Sequence, residues 1–107
     1  MIELTKENFE SEVLNSEAGV VFVDFWSPKC EPCMALAPEV EAFAEKNADK
    51  NVKFCKLDAA ANKRLSISQK VLGLPAFVFY KNGEKAFAFD ADSINMEAAQ
   101  AKLDELT

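Results

Sequence analysis

Cys30 and Cys33 are separated only by Glu31 and Pro32, and the residues after them follow a helical pattern. That spacing and place suit thiol–disulfide chemistry. The first turn of a helix carries unpaired N–H groups and the positive end of the macrodipole, which favour a thiolate at Cys30. Cys33 stands one turn further on, close enough to attack a mixed disulfide formed at Cys30. Pro32 fits the first turn, where its missing N–H costs nothing. A close cysteine pair has two other uses, as half of a zinc knuckle or as inert buried thiols. With no second pair and no histidine in the chain, the redox reading is favoured over both.

Asp24 interrupts the otherwise apolar run Val20–Trp26. A carboxyl in such a strand is costly unless it is protonated, paired or hydrated. Lys56, in the next strand along the chain, is its candidate partner. Cys55 falls in that same strand and reads as a small hydrophobe, with regulatory oxidation as the lesser alternative. Trp26 serves core packing, the rim of the cysteine site, or both. Phe77, Phe79, Phe87 and Phe89 alternate along two strands and are assigned to the core. Glu39, Glu41 and Glu45 mark a solvated helix face.

Composition bounds the remaining possibilities. Half of the 107 residues are hydrophobic and nine are Phe, enough for one packed core and one domain spanning 1–107. With 18 acidic and 12 basic residues the formal net charge is -6, a sign that repels phosphate and argues against nucleic-acid binding. The absence of histidine removes Ser-His-Asp and Cys-His catalysis and His-ligated zinc. Three cysteines complete neither a disulfide framework nor a four-Cys metal site, so no metal is expected. Met1–Lys6 does not read as a secretory signal, and no stretch approaches a membrane span. A cytoplasmic, reducing location follows as the expectation.

The elements that must position these residues follow from periodicity and punctuation. Ile2–Leu4 reads as a short edge strand, and Thr5 caps a helix with Phe9, Val13 and Leu14 on one face. Gly19 closes that unit. Val20–Trp26 is a strand buried on both faces. The next helix runs from the cysteine pair to Asn47 with Leu36, Val40, Phe43 and Ala44 inward and a kink at Pro38. Val52–Leu57 is a strand. Asn62 caps a helix carrying Leu65 and Val71 that ends at Gly73. Ala76–Tyr80 and Glu84–Phe89 flank Asn82-Gly83, a hairpin signal. A last helix lines up Met96, Ala99, Leu103 and Leu106. The alternation predicts an α/β fold, a mixed central sheet of about five strands flanked by about four helices on both faces.

Val23-Asp24-Phe25-Trp26, Cys30-Glu31-Pro32-Cys33, Pro38, Leu74-Pro75 and Lys81-Asn82-Gly83 together, in that order and spacing, resemble the thioredoxin family over nearly the whole chain. The resemblance implies the thioredoxin fold and a dithiol that reduces disulfides in other proteins. It implies no bound cofactor, a flavoprotein thioredoxin reductase as electron donor, and a monomer. It further implies that Cys30 attacks, Cys33 resolves, and Asp24 helps move the Cys33 proton, with Lys56 in support. Pro75 then follows a cis peptide bond beside the cysteines, and Leu74 and Ala76 line the groove that receives substrate, with Trp26, Lys29, Glu31 and Pro32 on its rim.

Several positions depart from the family pattern. Lys29 and Glu31 stand where Trp and Gly are usual, Ala76 stands where Thr is common, and Asp90-Ala91-Asp92 occupies a stretch that usually carries a Gly. These changes bear on target choice and reductase specificity more than on the redox step. Within the family the sequence is most similar to divergent members from anaerobic, amino-acid-fermenting bacteria. The alternative function is a thioredoxin-fold binding subunit with incidental redox activity. Replacing both cysteines by Ser separates the two, since only a binding role survives it.

Overall fold

Five strands form one sheet in the computed structural model, which describes residues 1–107: β1 (Ile2–Leu4), β2 (Val20–Trp26), β3 (Val52–Asp58), β4 (Ala76–Lys81) and β5 (Glu84–Phe89). Their order is β1-β3-β2-β4-β5. The β1–β3 and β2–β3 pairs are parallel, and the β2–β4 and β4–β5 pairs antiparallel. Three α-helices, α1 (Glu31–Lys46), α2 (Lys63–Ser68) and α3 (Met96–Leu106), and a π-helical segment (Glu10–Leu14) cover the sheet. The mixed sheet and four helical elements are those expected.

Central placement explains the apolar run of β2. Alternate side chains of a strand point to opposite faces. Val21, Val23 and Phe25 enter one core with Leu4, Val13, Cys55, Val78 and Tyr80. Val20 and Phe22 enter the other, with Val40 and Phe43 of α1, Phe77 and Phe79 of β4, and Leu103 of α3. Phe22 is the hub of this second core, with ring centroids of Phe43, Phe77 and Phe79 within 5.3 Å. By the same alternation Asp24 and Trp26 continue the Phe22 face, under α1.

Local details depart from expectation where the chain ends its turns. Thr5 does hold the first turn, its Oγ1 accepting the Glu7 N–H at 3.2 Å. The helix beyond it is π-type, with the Asn15 N–H donating to the Glu10 carbonyl at 2.8 Å. The wider turn keeps Phe9 and Val13 inward but leaves Leu14 38% exposed. Asn62 precedes α2 without capping it by side chain. Its amide instead donates to the Asp58 carbonyl at 3.1 Å, while Asp58 Oδ1 accepts from Ala60 and Ala61. The helix closes at Ser68 rather than at Gly73. Lys70, at φ 66, turns the chain away, so Val71 packs from a loop. α1 runs through Pro38 as one element.

The hairpin forms as read, Asn82 and Gly83 both having positive φ (54 and 80) as a type I′ turn requires. A side chain at Gly83 would collide with the Leu14 carbonyl. Phe87 corrects the core assignment. It is 39% exposed on the edge strand, where an irregularity leaves Ala86 between the Phe79–Phe87 and Tyr80–Lys85 pairs. The Lys102 ammonium covers its ring at 4.3 Å.

Candidate active site

The parallel β2–β3 pair delivers the chain to a tight turn at the C-terminal end of β2. There the Cys30 N–H donates to the Ser27 carbonyl at 3.0 Å, and the Lys29 N–H to Ser27 Oγ at 3.2 Å. Cys30 is the N-cap of α1, in extended conformation, and its Sγ accepts the Cys33 N–H at 3.2 Å. A sulfur at the N-cap thus takes the place of a capping oxygen and satisfies one of the free donors of the first turn. A disulfide joins Cys30 to Cys33, whose Cα atoms are 5.2 Å apart. Cys33 is 5% exposed, whereas Cys30 is partly open to solvent. Lys29, Glu31 and Pro32 are exposed around it.

Behind the disulfide lies a cavity of about 220 Å³ lined by Asp24, Trp26, Cys33, Met34, Glu41 and Lys56, among others. Asp24 and Lys56 are register partners across β2 and β3. Burial raises the Asp24 carboxyl from 3.8 to about 7, and the Lys56 ammonium offsets part of that rise. The ion pairs of the molecule join Lys50 to Asp104, Lys53 to Glu12 and Lys102 to Glu105, so Lys56 influences Asp24 across space without a direct bridge. A carboxyl titrating near neutrality beside a buried cysteine can hold or accept a proton there. Met34 was not singled out from the sequence, and Glu41, read there as part of a solvated helix face, is exposed and also lines this cavity. Cys33, Ala37 and Glu41 recur at four-residue spacing along α1 and Met34 stands three residues before Ala37, so helical spacing puts all four on one stripe.

The peptide bond between Leu74 and Pro75 is cis. Ala76 pairs with Phe25 near the C-terminal end of β2, which brings Leu74–Ala76 to the same end of the sheet as the cysteines. A second hollow, of about 470 Å³, adjoins that end and is lined by Ser27, Ala59, Lys63, Ile67, Leu72 and Leu74, among others. Leu72 is 84% exposed, the most open large apolar side chain of the molecule. Asp90–Asp92 form an exposed turn in which Asp90 Oδ1 accepts the N–H groups of Asp92 and Ser93.

A disulfide at a helix N-cap, a buried second sulfur and a carboxyl raised toward neutrality behind it, carried on a mixed α/β sheet, define a dithiol–disulfide exchange protein. The family model for thioredoxin matches residues 1–105. The chain is 47% identical over 105 residues to the thioredoxin of Acetoanaerobium sticklandii, covering 95% of this chain and 98% of that one. It is 42% identical over 103 residues to the thioredoxin of Peptoclostridium acidaminophilum, covering 96% and 92%. Among solved structures, Fasciola hepatica thioredoxin superposes with a TM-score of 0.87 at 28% identity, covering 100% of both chains. The chain belongs to the thioredoxin family. It is a thiol–disulfide oxidoreductase working through its Cys30–Cys33 pair, with disulfide-containing proteins as targets and a thioredoxin reductase as the general electron source. No helix is long and apolar enough to cross a membrane.

Proposed function

We propose that the chain acts as a cytoplasmic, monomeric protein-disulfide reductase and electron carrier, as a single domain over residues 1–107. The Cys30 thiolate attacks one sulfur of a target disulfide, forming the mixed disulfide and releasing the other target sulfur as a thiolate, which takes a proton. Cys33 then passes its proton to the Asp24 carboxylate and attacks Cys30 Sγ. The second target thiol leaves, and the Cys30–Cys33 disulfide remains. A flavoprotein reductase returns two electrons, and two protons complete the cycle. Leu74, Pro75 and Ala76 line the groove that receives the target chain, and Trp26, Lys29, Glu31 and Pro32 form its rim.

The observation that carries this reading is the contrast within the pair. Cys30 is partly open at the helix entrance, while Cys33 is 5% exposed and shares a cavity with Asp24. The cytoplasmic location rests on cysteine usage, a close reactive pair beside one buried free thiol. In the test, Cys33→Ser should accumulate stable mixed disulfides through Cys30. Preferential trapping by Cys30→Ser instead would reverse the roles. Insulin-disulfide reduction should proceed both with dithiothreitol and with NADPH plus a standard thioredoxin reductase. Activity with dithiothreitol alone would retain the dithiol mechanism and reject the standard donor.

A further inference from the structure

Asp24 and Trp26 lie two residues apart on β2 and share the sheet face beneath α1, and Lys56 reaches that face from β3. The Lys56 ammonium forms none of the ion pairs of the molecule. Its Nζ stands 5.6 Å from the centroid of the Trp26 ring, within the range where an aromatic face attracts a cation. The indole makes no hydrogen bond of its own. Nε1 is buried and has no partner, the one buried side-chain donor or acceptor in the structure left in that state. Packing and the contact with Lys56 are therefore what engage this ring.

A lysine ammonium is a compact, strongly hydrated charge on a flexible stem, and without an attraction inside a cavity it extends into water. The other titratable or charged groups facing this cavity are Glu41 from α1, Asp24 from β2, and Met1, which carries the α-amino group; Cys33 of α1 joins them when the disulfide is reduced. β4 contributes none, because the residue opposite Asp24 is Phe77. We propose that Trp26 is a positioning residue for proton transfer: its ring face keeps the Lys56 ammonium in the cavity, near the Asp24 carboxyl but outside a fixed ion pair with it. The arrangement meets two opposed needs. A bridged ammonium would favour the ionised carboxyl and an absent one the protonated form, whereas the Cys33 proton requires a carboxyl that both accepts and releases a proton. The inference rests on the reading that Asp24 takes the Cys33 proton.

The experiment follows the Asp24 side-chain carboxyl carbon by NMR against pH in the oxidised protein. Trp26→Leu should raise the midpoint by about half a pH unit, because the ammonium leaves for water. Trp26→Phe keeps an aromatic face and should raise it by less. Lys56→Met should raise the midpoint alone, and Trp26→Leu should add nothing in the Lys56→Met background. A Trp26→Leu shift that persists in that background would show that the ring acts by packing alone and overturn the proposal. So would an unchanged or lowered midpoint in Trp26→Leu, the latter meaning that the ring holds the cation away from Asp24. If Trp26→Leu fails to fold, the Trp26→Phe and Lys56→Met pair decides by the same additivity criterion. Insulin reduction by Asp24→Asn tests the underlying reading separately: an unaltered rate rejects proton transfer by Asp24 and leaves the titration result standing.

Discussion

Cys55 and Asp24 sit one rung apart on the β2–β3 ladder, where Val23 pairs with Cys55 and Asp24 with Lys56. They face opposite sides of the sheet. Burial dominates both. It pushes the Cys55 thiol up to about 12, the nearby Lys53 offsetting a part, and the Asp24 carboxyl up to about 7. The outcomes differ in kind. Cys55 is fully enclosed by Leu4, Val23, Leu57 and their neighbours, so at neutral pH it stays a thiol and behaves as a small apolar side chain. Asp24 begins from a lower intrinsic value, has a cation nearby and opens on a cavity shared with Cys33. Desolvation alone makes a group inert. Desolvation beside a cavity and a counter-charge leaves it titrating where the chemistry runs.

The largest effect that sharpens this contrast comes from the reactive pair, Cys30 and Cys33. Cys30→Ser should reduce insulin-disulfide reduction to the uncatalysed level, whereas Cys55→Ala should leave turnover within about twofold. Loss of activity in Cys55→Ala would break the claim that its face is chemically silent.

Asp24→Asn comes next. The folded carboxyl titrates at about 7, well above its ordinary 3.8, so the folded state binds more protons than the unfolded chain between those values. Stability therefore declines as pH rises from about 4 to 7 and levels off above. Removing the charge should stabilise the protein by about 2–4 kcal/mol at pH 8, with little change at pH 3, while slowing disulfide reduction. Urea melts at the two pH values measure this. A destabilised variant at pH 8 would mean that Asp24 is well paired.

Cys55→Ser should show the opposite balance, a loss of about 1–3 kcal/mol from an enclosed hydroxyl and no change in the pH dependence of activity. Alkylation of Cys55 in the wild-type chain should track global unfolding, and labelling under native conditions would reveal an opening on that face.

Glu31→Gln is the smallest expected effect. The exposed carboxylate opposes the Cys30 thiolate across roughly 7 Å of near-aqueous surroundings, an interaction of about 0.5–1 kcal/mol. Its removal should shift the reduction potential upward by about 10–20 mV in glutathione equilibration. No shift would assign Glu31 to partner recognition.

Strands were legible to the residue where periodicity and turn chemistry agreed. Val20–Trp26 and Glu84–Phe89 have the bounds read from the chain, and the Asn82-Gly83 turn has the required positive φ values. Helix ends were less legible. Asn62 looks like an N-cap, yet the backbone donors after Asp58 capture that aspartate first and the amide turns back on the Asp58 carbonyl. Lys70 takes the left-handed turn that a glycine signal placed at Gly73. Phe87 followed the inward alternation but lies on an edge strand, where the Phe89 ring and the Lys102 ammonium reach it and it stays partly exposed.

What the sequence determined by itself is the reactive pair and its setting: two cysteines one turn apart at a strand-to-helix junction, and one acid in an apolar strand. These are local, because spacing along a helix or strand fixes which residues share a turn or a face. Only the tertiary structure decided the state of those groups. Folding brought Cys33, Asp24, Trp26 and Lys56 onto one cavity from α1, β2 and β3, and it raised Asp24 toward neutrality. It also sealed Cys55 on the other face. Desolvation and charge proximity depend on distances between segments far apart in the chain, and no pattern within one segment encodes them.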